Sequence, residues 1–301
     1  MTQRRSGPTA TTTRPGTAGA LLAMFGAGLP VEDFYSERGS VLYDLLGRDD
    51  QHEIAELRAA LRGGRRSVLE LACGSGRLTL PLLADGHDVV GLENAPMMLR
   101  LLARRAAEPE GHGERLTLVE GDMTRFDLGR RFDAVVLGAT SVSLLDPAGR
   151  AAMFRAVRDH LAPGGVFLFS TLQMRRGAML AQPVRENVHT FVVPAAVPGG
   201  GGSMITLIEW IDGGARQRLV SALQAAVDAS GTVAHRLFTS QVNLLEVAEL
   251  EQELAAAGLA VRTRHQVAGG AEPDRSTLML TCGVVGDLTD GVTGAEAEAA
   301  R

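Results

Sequence analysis

The sequence predicts an α/β fold: a mostly parallel sheet with helices on both faces, followed late in the chain by a small antiparallel β insertion. Three observations carry this. From Ser67 to Thr171, short apolar runs alternate with longer helical patterns, as in successive βα units. The stretch LELACGSGRL opens that region as strand, glycine turn and helix. After Glu186 the long helices stop, and three β-rich runs follow: NVHTFVVP, SMITLIEWID and RQRLVSALQAAV.

The elements follow in order. Residues 1–19 read as an unstructured tail. GALLAMFGAGLP is too short and too broken by Gly to cross a membrane. The basic N-terminus precedes no apolar core of a secretory signal, so the expected location is the cytoplasm. Residues 20–64 read as a helical segment, with VEDFYSERGSVLYDLL carrying Tyr35 and Tyr43 and DQHEIAELRAAL forming an amphipathic helix. Residues 65–185 hold five strands, SVLELAC, DVVGLE, LTLVEG, FDAVVLG and VFLFST. Helices between them run from about Arg77 to Ala84, over APMMLRLLARRA, and over DPAGRAAMFRAVRDHL, where Asp146 is the N-cap and Pro147 the first helical residue. Residues 186–240 are the insertion, with a turn at DGG after Ile211 and a mobile loop at Gly199–Gly202. Residues 241–285 hold a helix, LLEVAELEQELAAAG, stopped by Gly258, and two closing strands, AVRTRHQV and RSTLMLTCGV. Residues 286–301 read as a second tail.

Composition narrows the function. The 301 residues carry a formal charge of −5 with 45% hydrophobic and 22% charged residues, and no face reads as a basic stripe, so nucleic acid is not an expected partner. All 30 basic residues are Arg. With no Lys, a Schiff-base lysine and a phosphate-loop lysine are excluded. Two cysteines, Cys73 and Cys282, make neither a disulfide framework nor a metal site. The seven histidines are scattered, none paired at i, i+4, so no metal is expected. His160, in the last turn of its helix, reads as a cation suited to the macrodipole and carries no chemistry.

A strand, Gly74-Ser75-Gly76 and a helix make a cradle where backbone approaches a ligand closely. Glu93 closes the second strand, where a carboxylate can bind ribose hydroxyls. Three details argue against a dinucleotide. Thr79 stands where the third glycine of that fingerprint would be. No Lys is available for a triphosphate. Glu70, just before the turn, would repel a pyrophosphate and would suit a ligand with an ammonium and a sulfonium. Arg77, opening the next helix, opposes the macrodipole unless it pairs with a ligand carboxylate or with Glu70. Asp122, in EGDMTRFDL, is placed to accept from an adenine amino group, with the Met123 backbone beside it.

With these pieces in order, the chain resembles the class I S-adenosylmethionine-dependent methyltransferases. The matching stretches are VLELACGSGRL, VVGLENAPMML, LVEGDMTRFDL, RFDAVVLGATSVSLL and HLAPGGVFLFST. The resemblance implies a Rossmann-like seven-stranded sheet, mostly parallel, with the last strand antiparallel. It implies S-adenosyl-L-methionine as cofactor, with S-adenosyl-L-homocysteine as product. Glu70, Gly74 and Gly76 would hold the methionine part, with Arg77 nearby, and Ala72 stands where the family usually has the turn's first glycine. Glu93 would hold the ribose with Asn94 next to it, and Asp122 and Met123 the adenine with Met98 as cover. Backbone at Leu137 and Gly138 would line the methyl-transfer face. Tyr43, with Tyr35, is similar to a lid tyrosine of small-molecule members, which makes residues 20–64 a lid.

The insertion looks like that of small-molecule N-methyltransferases such as the aminosugar N,N-dimethyltransferases, and would form the acceptor side. Two phrases also look like methyltransferases found with daptide-type ribosomal peptides. The expected acceptor is therefore an amine of a small molecule or peptide, methylated once or twice. An oxygen acceptor and a non-catalytic cofactor-binding protein remain the alternatives. Candidate acceptor-site groups are Ser141, Glu209, Trp210 and His189. Ser141, Glu209 and Tyr43 are the candidates nearest the chemistry. Alternation places Glu209 and Trp210 on opposite faces of their strand. An inward Glu209 could hold an ammonium. The oligomeric state is not readable.

Overall fold

The computed structural model describes residues 14–107, 112–175, 183–193, 202–228, 230–269 and 275–288. In chain order its elements are α1 (Gly16–Phe25), β1 (Val31–Asp33), α2 (Glu37–Gly47), α3 (Ile54–Ala60), β2 (Ser67–Leu71), α4 (Thr79–Ala84), β3 (Asp88–Glu93), α5 (Pro96–Ala106), β4 (Leu116–Glu120), β5 (Phe132–Leu137), α6 (Pro147–His160), β6 (Leu161–Met174), β7 (Val184–Val193), β8 (Ser203–Asp212), β9 (Gln217–Val227), β10 (Val233–Asn243), α7 (Val247–Ala256), β11 (Leu259–Gln266) and β12 (Arg275–Val284). They fall into two compact units. The larger holds Phe34–Pro183, Gly213–Gln217 and the chain from Val242 onward. The smaller holds Val184–Asp212, Arg218–Gln241 and the residues up to Asp33.

The larger unit is a seven-stranded sheet in the order β11-β12-β6-β5-β2-β3-β4. β2 lies parallel to both β3 and β5, β3 to β4, and β5 to β6. Only β12 runs against its neighbours, β6 and β11. The α/β sheet expected from the sequence is therefore present, with its last strand reversed. Side-chain alternation explains why both faces are dry. Leu69, Leu71, Val135, Leu137, Phe167 and Phe169 enter one cluster with Phe154 and Val157 of α6 and Leu250 and Leu254 of α7. Val68, Ala134, Val136 and Leu168 enter another with Ile54 and Leu57 of α3 and Leu82 and Leu83 of α4. The strand order departs in opposite directions from β2, so the carboxyl ends of β2 and β5 flank the switch point where such sheets take their ligands.

Local signals place the helices. The Asp146 side chain accepts from the Gly149 amide at 2.7 Å, with Pro147 first in α6, as expected. Ser36 caps α2 in the same way through the Gly39 amide at 3.1 Å. Gly258, at φ +82°, follows α7 as the anticipated stop.

In the smaller unit the strand order is β1-β10-β9-β8-β7. β7 and β8 pair antiparallel, with Asn187 opposite Glu209. The links from β8 to β9 and from β9 to β10 are too short for a crossover, so these neighbours are antiparallel too. Leu29, Leu223 and Leu237 pack with Leu21, Leu22 and Phe25. Thr17 donates to Glu186 from both its amide and its hydroxyl.

The structure departs from the sequence reading in four places. A helix, α1, begins at Gly16, inside the expected tail. VEDFYSERGSVLYDLL is not helical throughout: Val31–Asp33 is a strand parallel to β10, a tertiary pairing that three residues cannot announce. DQHEIAELRAAL is helical only from Ile54, because Glu53 sits at φ +62°. β10 itself, in VAHRLFTSQVN, was not anticipated as a strand. Residues 1–13, 199–201 and 289–301, on which the two tails and the glycine loop were placed, lie outside the described residues. Among the described residues no helix is long and apolar enough to cross a membrane.

Candidate active site

The site is built on the turn after β2. Ala72, Gly74 and Gly76 have φ of +50°, +55° and +96°, so the turn needs left-handed backbone at three positions. Gly76 has a second requirement, since a Cβ there would collide with Leu102 of α5. At Gly74 the space a Cβ would take is open, leaving backbone a ligand can approach. The turn is tied to the end of β3. The Cys73 amide donates to the Leu92 carbonyl at 3.2 Å, and the Gly74 amide to Glu93 Oε2 at 3.1 Å. Glu93, 6% exposed, also accepts from the Ala95 amide at 2.8 Å. Burial pushes its carboxyl up, and the amides of Ala95, Gly74 and Asn94 pull it back. Three amides on two oxygens leave the carboxylate one acceptor site for a hydroxyl.

Glu70, at 3% exposure, lies near the end of β2. Its Oε2 accepts from the Thr79 hydroxyl at 2.6 Å, so the residue in the third-glycine position serves as a donor. Burial pushes the Glu70 carboxyl up to about 8, against the pull of Thr79 and Arg77, and Glu53 and Glu93 add to the rise.

Arg77 is paired with Glu53 rather than with Glu70. It donates to the His52 carbonyl at 2.6 Å and to Glu53 Oε1. Glu53 is the residue the sequence reading missed. It is 1% exposed and also accepts from the Ala139 amide at 2.6 Å. As one acid in an amphipathic helix pattern it reads as a solvated face. Only its left-handed backbone turns it inward.

The loop after β5 completes this end. Leu137 is buried in the core, so only its backbone is available. A Cβ at Gly138 would collide with Leu78 and stand 2.9 Å from Glu53 Oε1. Ala139 and Thr140 follow at φ +55° and +54°, two consecutive non-glycine residues in the left-handed region. They are held by the Ala139–Glu53 bond and by the Thr140 amide donating to Ser170 Oγ at 3.0 Å. The Ser141 amide donates to the Gly138 carbonyl at 3.0 Å.

The remaining candidates spread around this centre. Asp122 is exposed, and its Oδ1 accepts from the amide and hydroxyl of Thr124 at 2.8 and 2.7 Å. Met123 packs half-buried on the core. Asn94 is exposed. Met98 differs from its expected role as adenine cover: helical spacing turns it inward with Ala95 and Leu101, and it is fully buried. Met97, beside Tyr35, is the half-buried methionine of that cluster. Tyr35 and Tyr43 have ring centroids 5.6 Å apart, and Phe34 meets Tyr43 edge-on at 6.2 Å. Arg105 fastens α2, the helix of Tyr43, to the glycine turn. It pairs with Asp44 at 2.7 Å and donates to the Ser75 carbonyl at 2.9 Å.

Glu209, a candidate to hold an ammonium, pairs within the smaller unit with Arg218 at 2.5 Å and accepts from the Asn187 side-chain amide at 3.0 Å. His160 Nε2 lies 3.0 Å from the Leu128 amide, and its other ring nitrogen faces the Ala156 carbonyl at 2.7 Å. No metal-binding group occurs among the described residues.

The glycine turn, open at Gly74, and the buried acids Glu53, Glu70 and Glu93 lie at the carboxyl end of the sheet, where such folds take their ligands. Comparison with known proteins agrees. A family model described as a methyltransferase domain matches residues 68–165. Over 242 residues the chain is 31% identical to the dTDP-3-amino-3,6-dideoxy-alpha-D-glucopyranose N,N-dimethyltransferase of Streptomyces fradiae, covering 75% of this chain and 86% of that protein. Among solved structures, the glycopeptide N-methyltransferase MtfA complexed with S-adenosyl-L-homocysteine aligns at 29% identity and TM-score 0.59, over 90% of this chain and 98% of that one. A sugar N-methyltransferase from Streptoalloteichus aligns at 26% identity and TM-score 0.60, over 79% and 91%. The chain belongs to the class I S-adenosylmethionine-dependent methyltransferases. Its methyl donor is S-adenosyl-L-methionine. The cradle open at Gly74 and the surrounding buried acids fit that donor's methionine end.

Proposed function

We propose that this enzyme N-methylates, once or twice, an amine carried by a natural-product sugar or peptide. The observation that carries the reading is the 242-residue match to an aminosugar N,N-dimethyltransferase, which extends well beyond the cofactor motifs. The glycopeptide N-methyltransferase likeness over 90% of the chain supports it.

When bound, the cofactor supplies an electrophilic methyl on a sulfonium. In this reading the chain's residues hold it and orient the acceptor. Glu70, Gly74, Gly76 and Arg77 seat the methionine end, with Ala72 shaping the turn. Glu93, with Asn94 next to it, takes the ribose hydroxyls, and Asp122 and Met123 take the adenine edge. Backbone at Leu137 and Gly138 lines the transfer face, and Tyr35 and Tyr43 cover it. Ser141, at the mouth of the strained loop, orients the acceptor nitrogen. A neutral amine needs its lone pair aligned and a route for one proton, and no strong base. Cys73 and Cys282, both buried and unpaired, suit a reducing compartment and a cytoplasmic enzyme.

The test is mass spectrometry of amines incubated with enzyme and S-adenosylmethionine, with an aminosugar nucleotide and an amine-bearing peptide in the set. A gain of one or two methyl masses on either supports the proposal and selects the class. Transfer to hydroxyl analogues alone overturns it.

A further inference from the structure

Within the larger unit, Glu53 makes two bonds through one oxygen and none through the other. Oε1 takes the Arg77 guanidinium and the Ala139 amide. Oε2 is buried and has no hydrogen-bond partner among the described residues. A buried carboxylate oxygen left this way is costly, and native structures rarely leave one without a ligand or water to receive it. Its surroundings indicate which ligand. Arg77 belongs to the glycine turn, and Ala139 follows the Gly138 backbone at the carboxyl end of β5. Glu70 and Glu93 are further buried acids of the same site. The Arg77 guanidinium is already committed to Glu53 and to the His52 carbonyl. The group missing here is therefore a small cation with N–H donors, sited where the glycine turn and the β5 loop meet.

We propose that Glu53 is a cofactor-binding residue: its unpartnered oxygen receives the α-ammonium of the S-adenosylmethionine amino acid moiety, while its other oxygen fixes Arg77 and the Ala139 turn. The inference rests on the identity of the methyl donor and not on that of the acceptor. One carboxylate from the segment before the sheet thus joins both halves of the cofactor cradle through the ligand's own charge.

Titration calorimetry on Glu53→Gln tests this with three ligands: S-adenosylmethionine, S-adenosylhomocysteine and 5′-methylthioadenosine, which lacks the amino acid moiety. The variant keeps an oxygen for the Ala139 amide and loses the charge. Affinity for the first two ligands is expected to fall about ten- to a hundredfold, as for a lost charge-assisted hydrogen bond. Affinity for methylthioadenosine should stay within about twofold of wild type. An equal loss for all three ligands would make Glu53 a structural support only and overturn the proposal. So would unchanged affinity for all three, including the case in which only the acceptor Michaelis constant rises. Wild-type protein that binds none of them would instead count against the cofactor assignment. If the Gln variant does not fold, Glu53→Asp, which withdraws the charge by one methylene, is read in the same way.

Discussion

Gly74 donates its amide to Glu93 across the gap between the ends of β2 and β3, at 3.1 Å. The residue assigned to the ribose is therefore also the anchor of the turn that cradles the methionine end. Glu93→Ala should leave the Gly74 and Ala95 amides without an acceptor. We expect about 1–3 kcal/mol of lost stability and at least about tenfold weaker cofactor binding. Denaturant unfolding and calorimetry measure the two separately. Unchanged affinity would remove Glu93 from the ribose site.

Glu70 is expected to make cofactor binding pH-dependent. Its folded-state value is raised to about 8 by burial, from an ordinary 4.5. A raised carboxyl favours the protonated folded state, so its contribution to stability is complete below about 4.5 and is lost as pH climbs through about 8. Ligand-free Glu70→Gln protein should lack this decline, and its melting temperature should overtake that of wild type as pH rises towards 8. A cationic ligand favours the ionised form, so wild type should release protons on binding S-adenosylmethionine near pH 7. Calorimetry in buffers of different ionisation enthalpy reads this directly, and heats independent of the buffer would refute it.

Ala72 carries a methyl group at φ +50°. Left-handed backbone costs a non-glycine residue roughly 1–2 kcal/mol, and glycine gives back about 0.4–1 kcal/mol through unfolded-chain entropy. Ala72→Gly should thus be stabilising by up to about 1 kcal/mol. Ala72→Val, β-branched in the same backbone, should be clearly destabilising. Chemical denaturation of both variants checks the order.

Met98 should behave as core. Met98→Ala is expected to cost about 2–5 kcal/mol of stability while leaving the affinity of the folded protein for cofactor within about twofold. An affinity loss without a stability loss would return Met98 to the adenine pocket.

Arg105 joins Asp44 to the Ser75 carbonyl. A double-mutant cycle over Arg105→Ala and Asp44→Ala should give a coupling of about 0.5–3 kcal/mol. Each single change should expose α2 to proteolysis before the rest of the larger unit opens. Purely additive effects would show that the pair does not hold the helix.

The parts legible in the sequence were those with a local cause. Short continuous apolar runs in DVVGLE and FDAVVLG, the Asp146-Pro147 start and the Gly258 stop each fix an element without outside help. Gly74, Gly76, Glu70 and Glu93 were legible because strand, turn and acid are close in the chain. What escaped depends on distant partners. Val31–Asp33 is a strand only because Leu237–Thr239 lies beside it. Met98 faces inward into a cluster that Tyr35, from well upstream in the chain, packs against. Glu209 pairs with Arg218 and accepts from Asn187, both on neighbouring strands. Glu53 turns inward through one left-handed residue, bonding Ala139, 86 positions further on.

That last separation bears on the order of assembly. The Ala139-Thr140 turn cannot hold two left-handed residues by itself, and its supports, Glu53 and Ser170, come from well before and well after it in the chain. Long-range contacts form late, because the loop between them must close first. That turn is therefore expected to take shape only after α3 and β6 have docked on the sheet. On warming, that turn is expected to let go before the sheet, so that methyl transfer should be lost at temperatures where the sheet itself is still intact.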